Sequence, residues 1–249
     1  MGYFINCLKQ SDSLSKEIKE LVPDMNLRRR MSRIVKMSVS TGVESLLDFD
    51  SFGEVDSIIT ATGLGCIADS EKFLGNCISA GEQMLNPTPF IHSTFNTVGA
   101  QIALIRSLHG YNNTFTHRYT SFESALVDAM LRIGKGKSKA VLIGVFDEFT
   151  QTVETLMKRM GVLKEKKLGE GALFFVLSGE RLDSSVAEIE GITFGNAENE
   201  VLSVFNTNDS LWCGAVARTI ARSIESKYSG FILNDIDGKN NSLIKLRCL

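Results

Sequence analysis

Apolar and polar positions along this chain fall into two kinds of run. Compact apolar stretches predict strands at Val55–Ala61, Ala140–Phe146, Gly169–Leu177 and Val186–Phe194. The run Ala140–Phe146 is almost unbroken in its hydrophobicity, as a central strand covered on both faces requires. Between these runs, apolar residues recur three or four positions apart, the spacing of one helix face. Ser13–Leu21 predicts a short amphipathic helix, and Pro23 separates it from a basic one. In that second helix Leu27, Met31, Ile34 and Val35 share a side, while Arg28, Arg29, Arg33 and Lys36 line the other. Gln151–Met160 and Leu211–Tyr228 predict two more helices, the latter with Trp212, Val216, Ile220 and Ile224 in a row. Gly230–Ile236 and Ser242–Leu249 flank a turn-rich Asp237–Asn241 and predict a hairpin. The fold class is α/β.

One stretch organises the rest. Gly110–Leu126 reads as a strand (Asn113–Thr116), a polar turn (His117–Thr120) and a helix opening at Ser121. Ser121 is the expected N-cap, and Glu123 puts a negative charge in the first turn, where it complements the helix dipole. Ala125, Leu126, Ala129, Met130 and Ile133 give that helix an apolar side. A sharp strand-to-helix turn presents one side chain above backbone N–H groups, an arrangement suited to a nucleophile.

A second glycine-rich turn follows Val55–Ala61. Gly63-Leu64-Gly65-Cys66-Ile67-Ala68 fits the pattern Gly-x-Gly-x-x-Gly/Ala of dinucleotide-binding loops. The full signature needs an acidic residue closing a second strand about 20 positions later. Glu82 stands near that distance, but its surroundings are not strand-like, so glycines that simply let the chain turn are the better reading.

Composition narrows the function. A chain of 249 residues, 43% hydrophobic and 22% charged, can bury a sizeable core as one domain. Its net charge of −2 gives no reason to expect nucleic acid or a membrane surface as partner. Five scattered cysteines without a Cys-x-x-Cys pair point to reduced thiols in a cytoplasmic protein. Met1–Lys9 is too short and mixed for a signal peptide, and no apolar window approaches the ~20 residues of a membrane span. His92, His109 and His117 are not paired at helical spacing with another ligand, so neither a metal nor any other cofactor is expected.

The Gly110–Ser121 stretch resembles the nucleophile turn of β-ketoacyl synthases, of the thiolase-like superfamily. Asn112 and Thr120-Ser121 fall on familiar positions, and the family's acyl-accepting cysteine lands on Tyr119. A phenol with a pKa near ~10 is a poor acyl acceptor at neutral pH. Pro89-Phe90 with His92-Ser93-Thr94 and Gly99-Ala100 is similar to the segment before that turn, which in the family lies near the subunit interface and acyl pocket. Asp147-Glu148 follows a strand end where ketosynthases also carry an acidic residue. The family's two catalytic histidines come from its C-terminal half, and this chain has no histidine beyond His117.

The resemblance implies a layered thiolase-like fold (αβαβα) spanning 1–249. It also implies that 196–249 is a shortened remnant: the first half largely kept, the second reduced to a helix and a short hairpin. It further implies a role like that of chain-length factors in aryl-polyene and flexirubin-type synthesis. Such a non-catalytic subunit pairs with a full-length ketosynthase and helps shape the acyl tunnel, with Tyr119 at the nucleophile position and His117 and Ser121 as pocket neighbours. Arg28, Arg29 and Arg33 are candidates for docking an acyl carrier protein. Two alternatives stay open: a homo-oligomeric binding or scaffold protein, and an acyltransferase using Ser121 with His117 as base.

Overall fold

The computed structural model describes residues 2–80, 83, 85–162, 167–195, 204–206, 210–211, 213–235 and 240–249. The chain opens with β1 (Phe4–Gln10), α1 (Ile18–Leu21), α2 (Met25–Arg30), α3 (Arg33–Phe49) and β2 (Ser57–Ala61). Next come α4 (Ile67–Ala80), α5 (Pro87–Ser93), α6 (Thr97–Arg106) and β3 (Tyr111–Phe115). A single 3-10 turn, Arg118–Thr120, leads into α7 (Ser121–Gly134), β4 (Ala140–Asp147), α8 (Gln151–Arg159), β5 (Lys167–Leu168) and β6 (Gly171–Ser178). The C-terminal part holds β7 (Ser185–Phe194), β8 (Val204–Asn206), β9 (Ser210–Leu211), α9 (Ala215–Glu225), β10 (Gly230–Asp235) and β11 (Asn240–Cys248).

Among the described residues nine strands form one sheet in the order β3-β2-β4-β6-β1-β7-β11-β10-β8. β3, β2 and β4 run parallel, with Ser57 opposite both Tyr111 and Val141. β6, β1, β7, β11 and β10 then pair antiparallel in turn, and β8 lies parallel to β10. Every residue of β4 and β6 is buried, which matches their apolar runs and their place between two helical layers.

Cross-strand partners share a face. The pairs Ile5–Ala187, Ile189–Leu246 and Ile244–Ile232 carry one apolar face from the first half of the sheet into the second. On that face lie α7 (Phe122, Ala125, Leu126, Ala129, Ile133) and α9 (Val216, Ala217, Ile220, Ala221), in a single core. The opposite face of the first half carries α3 and α6 through Ile34, Val35, Val39, Val43, Val98 and Ile102. At Gly99 the backbone of α6 runs so close to β3 that an added Cβ would stand 2.7 Å from Asn112 Oδ1. On the second half of the sheet, the corresponding face carries ion pairs, Lys245 with Glu190 and Arg247 with Glu188.

The first-half strands, the central apolar run and the β10–β11 hairpin lie where the pattern put them. Four details differ. Phe4–Gln10 is a strand near the middle of the sheet, between β6 and β7, although its pattern had not marked it as one. Only Ile18–Leu21 of the first amphipathic segment is helical, because Ser15 and Lys16 are held to the buried carboxylate of Glu44 (Ser15 Oγ at 2.6 Å, its N–H at 3.0 Å). The basic helix is two: Asp24 caps α2 by accepting from the N–H groups of Asn26 and Leu27, and an extended Met31 separates it from α3. The last helix starts at Ala215, with Leu211 in β9; Trp212 lies outside the described residues, as does the turn at 236–239.

Candidate functional site

The carboxyl ends of the parallel strands β2, β3 and β4 meet, the place where open α/β sheets form crevices. β2 runs into Thr62-Gly63-Leu64-Gly65, β3 into the bend at 116–120, and β4 ends in Asp147. The Thr62 N–H donates to Phe115 O at 3.0 Å, locking the first two loops together.

Asp147 is the hub. Its buried carboxylate accepts from Thr62 Oγ1 (2.6 Å), the N–H of Gly63 (3.0 Å), the N–H of Leu64 (2.9 Å) and Cys213 Sγ (2.8 Å). Thr62 Oγ1 in turn accepts from the Gly65 N–H at 2.7 Å. Glu148 accepts from the Ala68 N–H at 3.1 Å, just inside α4. The N–H groups of the glycine-rich loop are therefore taken by the protein itself, those of Gly63 and Leu64 by Asp147, that of Gly65 by Thr62 and that of Ala68 by Glu148. Gly63 and Leu64 have no N–H donors left for a pyrophosphate, so the glycines act here as a turn. Gly65 serves the turn itself, at φ +67°, a conformation that favours glycine. Burial pushes the Asp147 carboxyl above its usual range, against the pull of its four kinds of donor.

Tyr119 lies in the 3-10 turn between β3 and α7. The residue before it, Arg118, is exposed and holds φ +52°, so the bend carries left-handed backbone at a non-glycine position. Tyr119 is half-buried, and its carbonyl accepts from Asn234 Nδ2 at 3.1 Å. Asn234 Nδ2 also donates to Glu123 Oε1 at 2.5 Å, and Ser242 Oγ donates to the same oxygen at 2.8 Å. Glu123 is fully buried in the first turn of α7, and burial raises its carboxyl above the ordinary value. Glu123 is thus a buried strut to the C-terminal hairpin, with helix-dipole complementarity a secondary matter.

Ser121 and His117 do not form the acyl-transfer pair that the sequence left open. Ser121 is fully buried; its Oγ donates toward the carbonyls of Thr62 (2.9 Å) and Arg118 (2.7 Å) and accepts from the His117 N–H (2.8 Å). The His117 ring, exposed, turns instead to Ser124 Oγ at 2.9 Å. Nor is Ser121 the cap: it is the first helical residue, after Thr120. The buried thiols offer no replacement. Burial raises Cys213 well above its ordinary value, with Asp147 adding to the effect, and burial raises Cys66 likewise. Neither supplies a thiolate at neutral pH.

Of the three candidate docking arginines, two have structural work. Arg28 reaches back to the carbonyls of Val22 and Pro23. Arg33 makes a two-pronged ion pair with Glu170 at 2.9 and 2.7 Å. Arg29 is exposed, as is its neighbour Arg30. His92 lies buried 3.9 Å from Asp69, between α5 and α4. Among the described residues no group of three or more His, Cys, Asp or Glu is placed to hold a metal ion. No helix among them is long and apolar enough to cross a membrane. Sequence reasoning missed Cys213, Asn234 and Ser242 as members of this site. They sit far along the chain, and nothing local marks them.

Residues 8–157 match the family model described as "Beta-ketoacyl synthase, N-terminal domain", and the chain belongs to that family. No curated protein matches its sequence. Several solved structures share the fold at low identity. One is titled an acyl-carrier protein in complex with its ketosynthase bound to the hexaketide: TM-score 0.75, 13% identity, covering 100% of this chain and 99% of that one. The ishigamide ketosynthase/chain length factor matches at TM-score 0.72 and 14% identity, over 94% and 86%. The ketosynthase ApeO in complex with its chain length factor ApeC, from Xenorhabdus doucetiae, matches at TM-score 0.67 and 13% identity, over 99% and 99%.

Proposed function

We propose that this member of the β-ketoacyl synthase family is a non-catalytic subunit, pairing with an active β-ketoacyl-carrier synthase and helping to shape the tunnel for the growing acyl chain. One observation carries the reading. The chain keeps a strand-to-helix bend of the kind that displays a nucleophile, but the side chain it carries there is Tyr119, and the buried Ser121 hydroxyl and Cys213 thiol are tied to a backbone carbonyl and a carboxylate. Similar structures titled as ketosynthases with chain length factors support it.

The surface supports a partner as well. α4 buries only Asp69, and α8 buries no residue at all. Leu74, Ile78, Phe90, Ile91 and Phe95 are all exposed around α4 and α5. Apolar side chains concentrated on helices that bury almost nothing fit a face covered in an assembly. An acyl carrier protein, acidic at its surface, suits the exposed Arg29 on α2, and reduced thiols suit a cytoplasmic setting.

Co-expression with a ketosynthase that carries the cysteine and both histidines tests the proposal. A stable heterodimer whose product length depends on this chain is expected. A well-behaved homodimer that ignores the ketosynthase would favour the scaffold reading. Condensation by the purified chain alone would overturn both.

A further inference from the structure

We propose that Asn234 is the positioning residue of the Tyr119 turn, the point through which the β10–β11 hairpin sets where the Tyr119 side chain stands. An asparagine amide has two N–H donors. Here the same nitrogen serves two acceptors, Tyr119 O in the turn at 3.1 Å and Glu123 Oε1 in the first turn of α7 at 2.5 Å. Asn234 is 4% exposed, so water does not compete for these bonds.

The amide is itself held. Asn234 and Ser242 are cross-strand partners on β10 and β11, and Ser242 Oγ shares Glu123 Oε1 with it. The three side chains make a clasp with one foot on α7 and two on the hairpin. A turn with left-handed backbone at Arg118 persists only where its surroundings over-determine it. From within the turn, that comes from the Thr120 N–H to His117 O (3.2 Å) and from Ser121. From outside, Ser121 Oγ reaches Thr62 O, and Asn234 adds a constraint from the C-terminal hairpin. Asparagine suits this position because aspartate has no N–H to donate and leucine has neither donor nor acceptor.

The consequence for acyl length rests on the function proposed above, whereas the positioning itself does not. Two measurements separate them. In the free chain, hydrogen exchange of the amides at His117 and Thr120 should quicken by about tenfold in Asn234→Ala, the scale of one buried hydrogen bond lost. Asn234→Asp, which keeps the volume, should do the same, and Ser242→Ala less, with exchange across β4 unchanged. Turn amides that exchange at the wild-type rate in both Asn234 variants overturn the proposal; if the alanine variant does not fold, the aspartate variant alone decides. In the complex with a ketosynthase, the same variants should shift the product length distribution while the heterodimer still forms. Unaltered products from an intact complex whose turn has loosened would overturn the link to acyl length. A wild-type chain that pairs with no ketosynthase would overturn the functional reading, and the exchange measurement would still decide the role of Asn234.

Discussion

Asp147 stands 3.0 Å from the backbone N–H of Gly63, so a buried side chain occupies the concavity that a glycine-rich loop offers to anions. The loop and the carboxylate come from the ends of two adjacent parallel strands. Asp147→Asn removes the charge but keeps the shape, turning one acceptor oxygen into a donor that faces N–H groups. A loss of about 2–3 kcal/mol in unfolding free energy is expected, read from urea denaturation. Titration with NAD or NADP should give no binding to the wild-type chain.

Stability should depend on pH through Glu123. Its carboxyl is raised above 4.5 by burial, so the folded chain holds this proton more tightly than the unfolded one. Its contribution is fully present below the unfolded value and is lost as pH rises through the folded one. Glu123→Gln keeps the acceptor for Asn234 and Ser242 and cannot ionise. The stability of wild type relative to this variant should therefore fall as pH rises above 4.5, seen as a shrinking or reversing difference in denaturation midpoint.

Tyr119→Cys would place a half-buried thiol at the bend. It should be alkylated by iodoacetamide faster than Cys66 or Cys213, which are 1% and 2% exposed, as intact mass and peptide mapping can read. Condensation should not return, because the chain has no histidine after His117.

The exposed helical face can be broken without harming the fold. Leu74→Asp and Ile78→Asp change side chains that are 60% and 84% exposed, so the stability of the free chain should move by no more than about 0.5 kcal/mol. Heterodimer yield in co-expression should nevertheless collapse. Retained pairing would remove α4 from the interface.

Arg29→Glu should weaken association with an acyl carrier protein, mostly through a slower on-rate that salt also suppresses. Arg33→Ala is a poorer probe. Its ion pair with Glu170 lies between side chains 58% and 43% exposed and is worth at most about 1 kcal/mol, but it also ties α3 to the segment before β6.

Local pattern is enough for the elements whose burial is uniform or strictly periodic: β4 and β6 as continuous apolar runs, α7 and α9 as striped helices, the β10–β11 hairpin around its turn residues. It also determined that Tyr119 follows a strand and precedes a helix, since that depends on neighbours in the chain. Contacts across large separations emerge only in the folded chain. Phe4–Gln10 becomes a central strand because β6 and β7 arrive on either side of it. Ser13–Lys16 stays non-helical because Glu44 competes for its hydrogen bonds. Asp147 fills the loop at Gly63, and Asn234 reaches Tyr119 from 115 positions away. Local patterns record which face of an element avoids water. Which buried polar groups satisfy one another is settled only when the chain has closed around them.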